Sequence, residues 1–227
     1  MRLLALDTAT EHCSAALLIN DQVLVREALL ERGHAEHILP MVQQLLAEGG
    51  IGLRALDALA FGRGPGAFTG VRLAASVAQG LAFGADLRVV PVSNLAALAQ
   101  RALLEDPTAA AVLVCTDARM REVYCGAFTR TRHAGPAPAA PEGVLAPERV
   151  ALPPGWNPAQ TVGAGSGFAA YAQLRALLPG VRVREGLWPR AREIAALATL
   201  EVRAGRTLPA VEAVPVYLRD DVARSSA

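Results

Sequence analysis

The sequence predicts an α/β fold made of two related units. Three observations support this prediction: the chain opens with three short apolar runs separated by polar turns, apolar runs then alternate with helical patterns, and the alternation resumes after Asp106-Pro107. Strands joined by tight turns pair antiparallel, whereas strands joined through helices pair parallel. With 227 residues, the chain is long enough for one or two such units.

The first unit, residues 1–105, is predicted to have the element order βββαβαβα. A hairpin turn at Asn20-Asp21 joins the second and third strands, Gly49-Gly50 ends the first helix, and Ser93 caps the third helix. Strands are predicted over residues 2–6, 12–19, 23–30, 56–61 and 87–92, and helices over residues 34–48, 69–83 and from Ser93 to about Leu104.

The second unit, residues 106–227, is interpreted as a degenerate copy of the first, although no sequence repeat is detectable. Residues 133–143 are rich in Pro, Ala and Gly, which predicts an exposed or partly disordered loop. The tail from residue 208 is predicted to end in disorder. Strands are predicted over residues 110–115, 121–129, 160–164 and 181–184, and helices over residues 168–178 and 190–204.

A glycine-rich loop joins the fourth strand to the second helix. It contains Gly62, Gly64, Gly66 and Gly70. Glycine lets a ligand or another backbone approach closely, and the N-terminus of a helix attracts anions through its free N–H groups and its dipole. The loop therefore predicts either a phosphate or carboxylate site or a tight strand-to-helix turn, and the sequence favours neither alternative.

Two helices carry apolar patterns that we interpret as a subunit surface. Small residues recur four apart in the helix over 69–83, and such a face allows a second helix to approach closely. The helix over 34–48 has two neighbouring apolar stripes, although one stripe is enough to cover its own sheet. The alternative is that both helices are buried within their own domain. The predicted interface consists of His34, His37, Ile38, Met41, Leu45, Gly70, Ala74, Ala78 and Ala82.

Composition limits the classes of protein and their location. No run of eighteen uninterrupted apolar residues occurs, so we expect no membrane span. The three cysteines form no CxxC pair, which favours a cytoplasmic protein. All 22 basic residues are arginines, which excludes a P-loop lysine and a Schiff-base lysine. The net charge of +1 argues against a self-sufficient nucleic-acid binder.

The predicted element order resembles the actin-like ATPase superfold (ASKHA, ribonuclease-H-like), with two related βββαβαβα-type subdomains of which the second is degenerate. In that superfold ATP lies between the two domains, and an acidic residue after the first strand lies near the metal. Asp7 is at the matching place. The following loop departs from the DxGT-like pattern of the superfold, because it reads Asp7-Thr8-Ala9-Thr10.

Four segments give a more specific resemblance. LALDTAT at 4–10, HAEHILPMV at 34–42, GRGPGAFTGVRL at 62–73 and PVYLRDDVA at 215–223 are similar to the bacterial TsaB (YeaZ) family. The resemblance implies a protein needed for threonylcarbamoyl modification of tRNA, at the adenosine beside the anticodon. It also implies a TsaD-like catalytic partner, a TsaE-like ATPase that joins them, a homodimer in isolation, and contact with tRNA through the complex.

The resemblance also tests whether this chain is the catalyst. TsaD relatives carry an HxxxH metal pair in the helix after the strand matched by residues 87–92, and here Asn94 and Leu98 stand at those places. Leucine cannot bind a metal. His34 and His37 are three residues apart, but no third ligand is near them in sequence, so we expect no metal site and no catalytic residues.

The leading hypothesis is therefore a non-catalytic subunit that holds TsaD in an active arrangement, with no cofactor of its own and with ATP or adenylate as a candidate ligand at the interface. The alternative is an ATP-using enzyme that acts alone, and a peptidase is a third, less favoured hypothesis. The candidate nucleotide or anion contacts are Asp7, Thr8, Gly64, Gly66, Thr69, Gly70 and Arg72.

Overall fold

A computed structural model describes residues 1–132 and 135–219. The strands are β1 (Arg2–Asp7), β2 (His12–Ile19), β3 (Gln22–Leu29), β4 (Ala58–Gly62), β5 (Arg88–Val92), β6 (Ala111–Asp117), β7 (Val123–Arg130), β8 (Pro136–Pro138), β9 (Gly143–Leu145), β10 (Thr161–Ala164), β11 (Arg182–Arg184) and β12 (Leu208–Pro209). The helices are α1 (His34–Glu48), α2 (Phe68–Ala85), α3 (Asn94–Glu105), α4 (Gly167–Ala170), α5 (Gln173–Leu177) and α6 (Ala191–Arg203).

The strands form two sheets with matching topology. The first sheet has the order β12-β5-β4-β1-β2-β3, and the second has the order β11-β10-β6-β7-β8, with β9 also paired to β7. In each sheet the first strand pairs antiparallel with the second and parallel with the strand on its other side. The second sheet is therefore a copy of the β5-to-β3 part of the first.

The centre of the first sheet is buried on both faces, whereas its edge strand β3 is partly exposed. Successive side chains of a strand point to opposite faces, and β1 shows this alternation. Leu4 and Leu6 belong to the core cluster that includes α1 and α2, whereas Leu3 and Ala5 belong to the cluster that includes α6. Consequently β1 is an almost fully apolar strand, as expected for the centre of a sheet with two helical layers.

Two helices cross between the sheets. Helix α3 follows the last main strand of the first sheet but packs its Leu95, Leu98 and Leu103 into the core of the second sheet. Helix α6 follows the second sheet in the chain but packs against the first sheet. The next strand, β12, also returns to the first sheet, where it pairs with β5. The boundary predicted between residues 105 and 106 stays a prediction, because elements on either side of it pack across it.

Most predicted elements are present, and α1 has the predicted bounds although Pro40 lies inside it. Ser93 caps α3 by accepting hydrogen bonds from the N–H groups of Leu95 and Ala96. The exposed loop predicted over residues 133–143 is wrong in part, because residues 136–138 and 143–145 pair with β7. The single helix predicted over residues 168–178 is instead the two short helices α4 and α5.

The predicted disorder of the tail falls on residues 220–227, which lie outside the described residues, as do residues 133 and 134. Among the residues that the structure describes, no helix is long and apolar enough to cross a membrane.

Candidate functional site

A cleft of about 1170 Å³ lies between the two sheets. Its first wall contains Thr8–Thr10 and the start of α2, and its second wall contains Thr116–Arg119 and Ser166. Residues 216–219 form part of a third side. Since β1 and β6 are matching strands, the cleft is built from the residues at their carboxyl ends.

The glycine loop packs tightly against the segment that follows β1. A Cβ atom on Gly66 would lie 2.5 Å from the Ala9 carbonyl oxygen, and one on Gly70 would lie 2.1 Å from the Thr8 carbonyl oxygen. The Thr8 hydroxyl donates to the Gly70 carbonyl at 2.6 Å, and the Ala67 N–H donates to the Ala9 carbonyl at 2.8 Å. These contacts explain the glycines by close backbone packing, which favours the tight-turn alternative.

Four of the seven predicted anion contacts line the cleft, namely Thr8, Gly66, Thr69 and Gly70. The first turn of α2 has no side-chain cap, so its backbone N–H groups have no partner from a capping side chain. Whether the loop binds an anion stays a prediction. The other three predicted contacts, Asp7, Gly64 and Arg72, do not line the cleft.

Asp7 is fully buried beneath the cleft. Its Oδ1 accepts hydrogen bonds from the Asn94 side-chain amide at 2.8 Å and from the Ala9 N–H at 3.2 Å, whereas its Oδ2 has no hydrogen-bond partner. Burial raises the pKa of the Asp7 carboxyl from 3.8 to about 7, and the hydrogen bonds from Asn94 and the backbone oppose this rise. The carboxyl group has no surface through which it could contact a nucleotide in the cleft.

Gly64 and Arg72 have structural partners of their own. The Gly64 N–H donates to the Asn94 side-chain oxygen at 2.8 Å. The Arg72 guanidinium lies over the Phe68 ring, 3.3 Å from its centroid, and its Nε donates to the Tyr217 hydroxyl at 2.7 Å. Phe68 and Tyr217 both line the cleft, so Arg72 is held by residues of the cleft wall, and its role as a phosphate contact stays a prediction.

The second wall of the cleft contains a polar cluster that we did not predict as a site. Asp117 ends β6, and its Oδ1 accepts hydrogen bonds from the Tyr171 hydroxyl at 3.0 Å and the Arg119 N–H at 2.9 Å. The Ser166 hydroxyl accepts from the Asp117 N–H at 3.0 Å. A sequence signal was available, because the Gly165-Ser166-Gly167 turn follows β10 as the glycine loop follows β4.

The predicted subunit interface needs a correction. Six of its side chains face the core that α1 and α2 form with the first sheet, so they cannot contact another molecule; these are Ile38, Met41, Leu45, Ala74, Ala78 and Ala82. Gly70 packs on Thr8. His37 is exposed, and His34 is half-buried with its Nε2 2.8 Å from the Thr10 carbonyl oxygen.

The exposed side of α2 is a different face of the helix. Gly80 and Gly84 have open space where a Cβ would lie, and Phe83 is 82% exposed. Val211 is also exposed, and the segment around it packs against α2, where its carbonyl accepts a hydrogen bond from Gln79. We call these four residues, Gly80, Phe83, Gly84 and Val211, the outer α2 face.

Known proteins resemble this chain over nearly its whole length. Residues 26–223 match the family described as TsaD: tRNA N6-adenosine threonylcarbamoyltransferase. A tRNA threonylcarbamoyladenosine biosynthesis protein TsaB of Haemophilus influenzae is 42% identical, over 98% of this chain and 95% of that protein. A TsaB protein of Escherichia coli is 41% identical, over 98% of this chain and 96% of that protein.

A solved structure supports the same relationship. The structure of YeaZ from Pseudomonas aeruginosa superposes with a TM-score of 0.88 at 46% identity, over 96% of this chain and 99% of that chain. Together with the two matching sheets, these similarities confirm the predicted actin-like ATPase superfold.

Proposed function

This chain belongs to the TsaB family of tRNA threonylcarbamoyladenosine biosynthesis proteins, and from that premise we propose that it serves the modification as a non-catalytic subunit. It holds a TsaD-like catalytic partner in an active arrangement. A TsaE-like ATPase joins the pair, and tRNA is reached through the complex in the cytoplasm.

The observation that best supports the non-catalytic role is that Asn94 and Leu98 have structural contacts within the chain. These residues stand where the resemblance to TsaD places two metal-binding histidines. Both are buried, and Leu98 is part of an apolar core. The Asn94 amide group bonds to Asp7 through its nitrogen and to the Gly64 N–H through its oxygen. A side chain engaged in this way links β1, the glycine loop and α3, so it supports a structural role for the position.

The outer α2 face is the surface we propose for the partner. Exposed apolar surface beside glycines allows close packing of another helix, and monomeric proteins seldom expose large contiguous apolar patches. Phe83 and Val211 are 82% and 72% exposed. The same face on a second copy of this chain forms the homodimer that the resemblance implies, and the TsaD-like partner replaces that copy.

The test is co-purification with the TsaD-like partner, followed by a tRNA modification assay with and without this chain. Gly80→Arg introduces a large charged side chain on the outer α2 face without a collision inside the chain. We expect it to abolish both co-purification and modification while the chain stays folded. Ala196→Arg is the matched control, because Ala196 is an exposed residue of α6 on the other side of the sheet. A Gly80→Arg chain that pairs normally would contradict the proposed surface.

The cleft favours a second candidate function, an ATP-using enzyme that acts alone. Its volume of about 1170 Å³ accommodates a nucleotide, and the first turn of α2 opens into it. ATP turnover by the isolated chain would establish this function and would overturn the non-catalytic role. Binding without turnover, strengthened by the partner, instead supports ATP or adenylate as a ligand at the interface.

A further inference from the structure

A segment without regular secondary structure, residues 214–219, crosses from one wall of the cleft to the other. We call it the strap. Residues 216–219 line the cleft, and their partners lie in the glycine loop, in α2 and in the turn between β6 and β7. We propose that the strap couples α2 to the β6–β7 turn, so that a change at one wall of the cleft is transmitted to the other.

The first end of the strap is fixed to the glycine loop and to α2. The Val216 N–H donates to the Arg63 carbonyl at 2.8 Å. The Val216 carbonyl oxygen comes so close to Gly64 that a Cβ there would lie 2.9 Å from it. Tyr217 accepts the hydrogen bond from Arg72, and its ring lies 6.0 Å from that of Phe68.

The other end of the strap is fixed to the β6–β7 turn by Arg219. Its guanidinium donates to the Ala118 carbonyl at 3.1 Å, forms an ion pair with Glu122 and lies 3.4 Å from the Met120 sulfur. The Arg219 side chain is only 16% exposed. Ion pairs that are shielded from water and share several hydrogen bonds hold their geometry more firmly than exposed pairs.

The β6–β7 turn needs such support because of its backbone. Arg119, Met120 and Arg121 have φ angles of 60°, 53° and 60°, which places three consecutive residues with side chains in the left-handed region. Each such residue costs about 1 kcal/mol or more. The turn directly follows Asp117, so its conformation sets the position of the cleft cluster formed with Ser166 and Tyr171.

The consequence for the complex rests on the proposed function. A partner that docks on the outer α2 face and extends along the helix to the exposed Phe68 or Arg72 competes with Tyr217 for the same groups. Losing that contact loosens the strap, and the loosened strap withdraws Arg219 from the turn. Partner docking on the first unit thereby changes the second wall of the cleft.

Amide hydrogen exchange of the chain alone tests the coupling. The N–H groups of Ala118 and Glu122 close the β6–β7 turn by bonding to the carbonyls of Glu122 and Arg119, so their exchange reports its opening. We expect Arg219→Met to speed their exchange by about tenfold, since a charge-assisted hydrogen bond is lost.

The decisive variants change α2 and Tyr217. Arg72→Met and Tyr217→Phe touch nothing in the turn, yet the coupling predicts faster exchange there in both. Arg206→Met is the matched control, because Arg206 pairs with Glu201 and lies outside the strap. If Arg72→Met and Tyr217→Phe leave the turn unchanged, or if Arg206→Met changes it equally, the coupling is overturned.

A second measurement separates this proposal from the proposed function. With the TsaD-like partner added, we expect the turn to exchange faster in the wild-type chain than in the chain alone. If Arg72→Met and Tyr217→Phe speed exchange in the turn but the chain does not bind the TsaD-like partner, only the proposed function is contradicted. If the chain binds the TsaD-like partner normally but Arg72→Met leaves amide exchange in the β6–β7 turn unchanged, only the coupling is contradicted.

Discussion

The two sheets share one topology, but they use the aspartate at the end of their first strand differently. Asp7 ends β1 and is buried with one oxygen unpartnered, whereas Asp117 ends β6, faces the cleft and pairs with Arg119. The helical layers differ as well, because α1 and α2 have 15 and 18 residues while α4 and α5 have 4 and 5. The same topology thus carries two long helices over the first sheet and a polar cluster at the cleft in the second unit.

The largest expected effect on stability comes from placing a large side chain between α2 and the first sheet. Ala78→Arg places a charged side chain in the core between α2 and the sheet, where Ala78 is fully buried. We expect a loss of about 4 kcal/mol or more in the free energy of unfolding, measured by urea denaturation. Ala170→Arg, at an exposed position of α4 in the second unit, should change it by about 0.5 kcal/mol or less. A folded, stable Ala78→Arg chain would instead support the original prediction that Ala74, Ala78 and Ala82 form a subunit interface.

The next effect concerns the buried aspartate. The pKa of Asp7 is about 7 in the folded chain and 3.8 when unperturbed, so the folded chain binds more protons between these values. Stability contributed by this group therefore falls as pH rises from about 4 to 7, by about 4 kcal/mol in total, and then levels off. Asp7→Asn removes the titrating group. We expect its melting temperature relative to that of the wild type to rise between pH 5 and about pH 7 and then to level off, and a constant difference in melting temperature from pH 5 to pH 7 would refute the assignment.

The matched substitution in the second unit sharpens the contrast. Asp117→Asn at neutral pH should change the free energy of unfolding by about 1 kcal/mol or less, because its ion pair with Arg119 is exposed on the arginine side. Chemical denaturation of both variants at one pH makes the comparison direct. Equal changes in the free energy of unfolding for Asp7→Asn and Asp117→Asn would show that the positions are not as different as their burial suggests.

An effect smaller than that of Asp7 is expected from the glycine loop. A Cβ on Gly70 would lie 2.1 Å from the Thr8 carbonyl oxygen, so Gly70→Ala should cost about 2–3 kcal/mol of folding stability. Gly80→Ala, ten residues later on the open side of the same helix, should instead stabilise the chain by about 0.5–1 kcal/mol. Thermal unfolding of the pair distinguishes a packing role for Gly70 from general helix propensity, since propensity alone would make both variants more stable.

Much of the fold follows from local patterns, but parts of the site depend on packing that no pattern shows. Alternating strands, the Gly49-Gly50 stop and the Ser93 cap were sufficient to predict the main elements of the first unit. The spacing of Ala74, Ala78 and Ala82 identified a closely packed face, but it could not tell whether the neighbour belongs to this chain or to another. Burial of Asp7 depends on Asn94, 87 residues away along the chain. The strap has no periodicity, so its contacts could not be predicted from the sequence.

The exchange of α3 and α6 between the sheets bears on how the chain folds during synthesis. When the ribosome has translated the first 105 residues, the face of β1 that carries Leu3 and Ala5 still lacks its cover, because Ile194 and Ala198 are not yet made. This apolar face of the nascent first half therefore stays accessible to chaperones until α6 has emerged from the ribosome and covers it. Cutting the chain between the halves would therefore leave two aggregation-prone fragments instead of two autonomous domains.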